Sequence, residues 1–97
     1  MSFGSIKHGN KFVTTAGTAV PLAAVDTPCK LITINAKAAN TGKIAVGGQG
    51  VIATIGVTQT GVILNAGDVY ELEVADLNEV YIDATVSGEG VTFTYLG

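Results

Sequence analysis

Val69-Tyr70-Glu71-Leu72-Glu73-Val74, Val80-Tyr81-Ile82-Asp83-Ala84-Thr85 and Val91-Thr92-Phe93-Thr94-Tyr95-Leu96 follow one another in the second half of this 97-residue chain. Each alternates with period 2, so each predicts a strand with one buried and one wetted face. The segments between them are Asn65-Ala66-Gly67-Asp68, Ala75-Asp76-Leu77-Asn78-Glu79 and Ser87-Gly88-Glu89-Gly90. Gly accepts positive φ, and Asn, Asp and Ser hydrogen-bond their own backbone, so these segments predict turns. Such a ladder builds a surface and places few reactive groups, which points to structural or binding work.

Working outward, Gly61-Val62-Ile63-Leu64 opens the ladder. Val51 to Thr60 reads as an extended loop carrying a short strand, because it is β-branched and interrupted by glycine, both unfavourable to a helix. Lys43-Ile44-Ala45-Val46 is a short strand ending at Gly47-Gly48. Cys29 to Lys37 is the clearest strand of the first half, with Ile32, Ile34 and Ala36 on one face. Lys11 to Thr15 and Thr18 to Leu22 are further extended pieces, and Pro21 marks an edge or a strand end. Residues 1–10 are polar and glycine-bearing and read as a flexible N-terminal arm, leaving 11–97 as a single β domain. The expected fold class is all-β: one β-sandwich, or jelly-roll-like small barrel, of about seven or eight short antiparallel strands. The expected core is Ile32, Ile34, Ile44, Val46, Leu72, Val74, Val80, Ile82, Val91 and Phe93.

Apolar residues make up 47% of the chain and charged residues 13%, which places it among folded domains. No stretch approaches the roughly 20 apolar residues of a membrane span, so no membrane partner is expected. Neither an apolar leader segment nor a second cysteine beside Cys29 is visible, which fits synthesis in a reducing compartment. Charge is segregated. All five lysines (Lys7, Lys11, Lys30, Lys37, Lys43) stand in the first half, against Asp26 alone. Asp68, Glu71, Glu73, Asp76, Glu79, Asp83 and Glu89 stand in the second, so residues 1–50 carry +4 and residues 51–97 carry −7. A nucleic-acid binder shows the opposite balance, with Arg and a basic excess, so no nucleic acid is expected. The segregation allows one edge of a subunit to attract the opposite edge of a neighbour. For any single carboxylate, covering a solvated strand face is the simpler role.

Catalysis has little to work with. His8 and Cys29 each lack a second group in sequence to make a nucleophile–base pair, and Cys29 reads as a half-buried structural thiol. Asp76, Asn78 and Glu79 share a turn that Asp68 and Asp83 could join as oxygen ligands for a weak cation site, yet turn capping explains them more simply. Gly47-Gly48-Gln49-Gly50 lacks the Lys-Ser/Thr and the helix of a phosphate loop. No enzyme activity, cofactor or metal is expected.

The order Pro28-Cys29-Lys30, Asn40-Thr41-Gly42-Lys43-Ile44-Ala45-Val46-Gly47-Gly48, Leu64-Asn65-Ala66-Gly67-Asp68, Leu77-Asn78-Glu79-Val80-Tyr81-Ile82-Asp83-Ala84 and Gly88-Glu89-Gly90-Val91-Thr92-Phe93-Thr94-Tyr95 resembles the small all-β virion proteins of tailed bacteriophages, over residues 12–97. The resemblance implies a structural protein of the virion, made in the host cytoplasm. Its implied work is capsid decoration, as cement on the major capsid protein, with a tail fibre, tail tip or adaptor component as the alternative. A homo-oligomer is expected, a trimer favoured. A carbohydrate-binding β-sandwich, with Tyr81 and Tyr95 as sugar platforms, is the reading from another class. The residues expected to touch the partner are Phe3, Ile6 and Lys7.

Overall fold

The computed structural model describes residues 6–96. Eight strands form: β1 Ile6–Phe12, β2 Val20–Pro21, β3 Leu31–Ala36, β4 Ile44–Gly47, β5 Val62–Leu64, β6 Val69–Leu72, β7 Tyr81–Ala84 and β8 Gly90–Leu96. All pairings are antiparallel, in two four-stranded sheets ordered β1-β8-β3-β6 and β2-β7-β4-β5. First pairs with last, second with seventh, third with sixth and fourth with fifth, which is the strand order of a jelly roll. The two sheets stay open as a sandwich and do not close into a barrel. A single turn of 3-10 helix, Leu77–Glu79, stands between β6 and β7.

Alternation decides what each sheet buries. Ile32, Ile34 and Ala36 of β3, Val91 and Phe93 of β8, Ile44 and Val46 of β4, and Ile82 and Ala84 of β7 meet between the sheets. Leu72 and Val74 pack against this core while remaining partly exposed. The turns supply the residues that seal it: Val13, Leu22, Cys29 and Leu77 are all buried. Leu77 sits in a segment that reads as a polar turn, yet it is only 2% exposed. Asp76 places it there. One carboxylate oxygen accepts from Asn78 N at 3.0 Å, capping the short helix, and from Thr27 N at 2.8 Å, tying in the loop before β3.

Three sequence expectations are corrected. Residues 6–10 do not form an arm: they pair with β8 from Ile6↔Leu96 to Asn10↔Thr92. Gly9 explains why so polar a stretch joins the sheet. It lies opposite Phe93, and a Cβ there would stand 2.8 Å from the ring, so the missing side chain lets the aromatic fold across it. Residues 1–5 lie outside the described residues. The strand expected to run on to Thr15 ends at Phe12, and no strand forms within 51–60. That segment satisfies its backbone locally, through Thr60 N to Ile52 O at 2.9 Å, Ile52 N to Thr60 Oγ1 at 3.0 Å and Gln59 Nε2 to Ala53 O at 3.1 Å.

The connections fall at two ends. Loops 13–19, 37–43, 65–68 and 85–89 gather at the upper end. Loops 22–30 and 73–80 gather at the lower end, beside Ile6 and Leu96, and loop 48–61 starts and finishes there. Glu89 stitches the upper end. It accepts from Thr41 N at 2.6 Å, Thr41 Oγ1 at 2.8 Å and Gly42 N at 2.8 Å. These bonds favour the ionised form, so its pKa lies below the ordinary glutamate value of 4.5, the Thr41 backbone bond contributing most.

Two outcomes follow from this packing. Ile34→Ala or Ile82→Ala removes a fully buried side chain and lowers stability by about 2–4 kcal/mol in chemical denaturation. A depressed folded-state pKa stabilises above the unfolded value and ceases to do so as pH falls through the folded one. Acid titration of the wild type therefore loses the Glu89 share of stability below the ordinary carboxylate range, and Glu89→Gln flattens that part of the pH profile.

Candidate interaction surfaces

Asp83 is the one charged side chain buried completely among the described residues. Its register is the reason. Ile82 and Ala84 face the core, so Asp83 points to the outer face of its sheet, beside Ala45 of β4. A solvated outer face is the ordinary fate of such a carboxylate. Here loop 48–61 folds back over that face instead. Ala45, Val51 and Ala53 form a second small apolar cluster, with Ala19, Ile63 and Tyr81 packed around it. Asp83 Oδ1 accepts from Gly17 N at 2.9 Å and Oδ2 from Ala53 N at 2.8 Å, so one carboxylate holds loops from both ends of the sandwich. Asp83 therefore neither joins the Asp76 turn nor covers a wetted face, as the sequence allowed.

Pinned at Ala53, the loop carries its tip outward. Ile55 is 71% exposed and Val57 fully so. Val25, on the loop before β3, is also 71% exposed. Ile6 is a third exposed site. It is 78% exposed and stands in a cross-strand row with Leu96 and Leu31, bordering a shallow depression of about 180 Å³. Ile6, Val25, Ile55 and Val57 are the most exposed large apolar side chains among the described residues. Sequence reasoning picked out Ile6 and Lys7, and both are exposed. Phe3 lies outside the described residues. Ile55 and Val57 were missed. Their legible signal was a β-branched stretch bracketed by Gly50, Gly56 and Gly61 that matched no strand period.

The solvent face of the β1-β8-β3-β6 sheet is a second surface. An open groove of about 480 Å³ runs over it, lined by His8, Asn10, Thr33, Asn35, Val69, Thr92 and Thr94. Most of these carry hydrogen-bonding groups, and Phe93 also borders the groove beside Gly9. Tyr95 packs against the core, its ring centroid 6.0 Å from that of Phe93, and Tyr81 packs on the small cluster, so both sugar-platform candidates are used in packing.

Chemistry at the remaining candidates is muted. Cys29 is buried, and its Sγ lies 3.4 Å from Val74 O. Burial raises its pKa, and the charges of Asp76 and Glu79 raise it further, which disfavours the nucleophilic thiolate. Among the described residues no group of three or more His, Cys, Asp or Glu is placed to hold a metal ion. No helix is long and apolar enough to cross a membrane. No family model matches the chain, and no curated protein matches it.

Asp83→Asn is isosteric but turns an amide N–H₂ toward one of two backbone donors. We expect about 1–3 kcal/mol lost in denaturation. Amide exchange should accelerate at Gly17 and Ala53 before it does in β3 or β8.

Proposed function

We propose that this protein is a non-enzymatic structural protein of a tailed-phage virion, most simply a decoration protein that cements the capsid. The observation that supports the reading best is the set of apolar side chains that its loops hold in water. A jelly-roll sandwich held by buried polar ties exposes Ile55 and Val57 on one loop, Val25 on another and Ile6 on an edge strand. Exposed apolar groups gathered on a rigid scaffold are what a protein that docks on another protein requires. The jelly-roll order occurs in viral capsid domains and in lectins alike, so the fold supports the virion reading by analogy only. Engagement of Tyr81 and Tyr95 in packing ranks the sugar-binding alternative below it.

In this reading loop 48–61, with Ile55 and Val57, seats on the major capsid protein, and symmetry multiplies modest contacts into a firm attachment. Electron microscopy of particles assembled with this chain tests it. Copies on the shell, oriented with loop 48–61 inward, are expected. Copies confined to the tail transfer the protein to a fibre, tip or adaptor role, and particles without it end the virion reading. Ile55→Ser with Val57→Ser should weaken attachment by about tenfold or more while the melting temperature stays unchanged, because both side chains are already in water.

A further inference from the structure

Among the described residues no further strand pairs with either edge of the β1-β8-β3-β6 sheet, and the charges of the two edges are opposite. Edge β1 carries Lys7 and Lys11 with His8 between them and no carboxylate. Edge β6 carries Glu71, preceded by Asp68 and followed by Glu73, and no lysine lies between Lys43 and the end of the chain. Strand polarity alternates across the sheet, so β1 and β6 of one subunit run antiparallel. A second copy in the same orientation therefore presents its β1 to β6 as the next antiparallel strand.

The backbone agrees with this. Asp68 O accepts from Ala36 N at 2.9 Å, which turns residues 68, 70 and 72 toward β3 and leaves the backbone groups of Val69 and Glu71 pointing out of the sheet. Lys37 N donates to Gly90 O at 3.2 Å, so by alternation β8 turns residues 91, 93 and 95 toward β1. Lys7, Gly9 and Lys11 thus bond inward, and Ile6, His8, Asn10 and Phe12 point outward. Outward groups match when an odd residue of β6 faces an even residue of β1, which also keeps core-side and solvent-side faces continuous. Glu71 opposite His8 satisfies both conditions, and the same register places Asp68 opposite Lys11. Neither strand contains proline.

We infer that β6 of one copy pairs with β1 of a second copy, extending the sheet head-to-tail. Lysines on one edge and carboxylates on the other block the symmetric alternatives, because β1 on β1 or β6 on β6 brings like charges together. Only the heterologous junction joins opposite signs, and repeating it gives a cyclic assembly if the rotation closes. This deepens the oligomer contained in the proposed function but requires only the isolated chain, so its test is independent of particle binding.

Native mass spectrometry and light scattering of the full chain at low salt should show a concentration-dependent oligomer that weakens as salt is raised. Lys7→Glu with Lys11→Glu should leave monomer, as should Glu71→Lys with Glu73→Lys, each with melting of the monomer unchanged. Combining Lys7→Glu with Glu71→Lys and Glu73→Lys keeps Lys11 opposite Asp68, restores opposite edges and should restore association. His8→Pro removes an outward N–H without touching the β1–β8 ladder and should also abolish assembly. A wild type that stays monomeric, reversals that assemble like the wild type, or a triple variant that stays monomeric would overturn the inference.

Discussion

One buried carboxylate governs the shape of half the molecule. Asp83 sits on the outer face of the β2-β7-β4-β5 sheet, where an ordinary sandwich meets water. A carboxylate without partners there would be too expensive to bury. Two backbone N–H groups make the burial tolerable, and they arrive from loops that start at opposite ends of the fold. The loops in turn bring Ala19, Val51 and Ala53, which keep water off Ala45 and Ile63. The carboxylate and its loops are therefore mutually dependent: neither the charge nor the two donors would be stable under cover alone.

Other polar ties share this design at the ends of the sandwich. Asp76 joins loop 73–80 to loop 22–30 through Thr27, and Asn78 Nδ2 donates to Asp26 Oδ1 at 2.7 Å in the same pair of loops. Glu89 joins loop 85–89 to loop 37–43, where Gly42 is required because a Cβ would overlap Thr85 and Val86. Lys37 lies 4.0 Å over the ring of Phe12, covering an aromatic at the end of the edge strand. In a chain with few charges, Asp68, Asp76, Asp83 and Glu89 all work as acceptors for loop backbone. That leaves rigid loops, and a rigid loop can hold Ile55 and Val57 in water without collapsing on them.

Charge segregation along the sequence acquires a spatial meaning through the strand order. The jelly roll sends the first strand to one edge of a sheet and the sixth to the other. A gradient that runs from basic to acidic along the chain is thereby laid across a single sheet, edge to edge. The same signs would neutralise one another in a fold that paired β1 with β6.

The sequence by itself determined the strands and the central core, because period-2 alternation is a local property. Ile32, Ile34, Ile44, Val46, Val80, Ile82, Val91 and Phe93 are buried where the pattern puts them. Turn positions were legible for the same reason, since Gly, Asn and Asp act within a few residues. The long-range facts were not legible. That residues 6–10 form a strand depends on β8, more than eighty residues away, offering a partner ladder and on Gly9 fitting under Phe93. That Leu77 plugs the core, and that Asp83 is buried, depends on loops closing over them from elsewhere in the chain. Of the exposed groups, Ile6 and Lys7 could be picked out from sequence because they are an apolar and a basic group in a polar stretch. The exposure of Val25, Ile55 and Val57 could not, because no local pattern records which loops fold over a sheet and which side chains they leave in water. Only the tertiary structure decides that, through the order in which antiparallel strands pair.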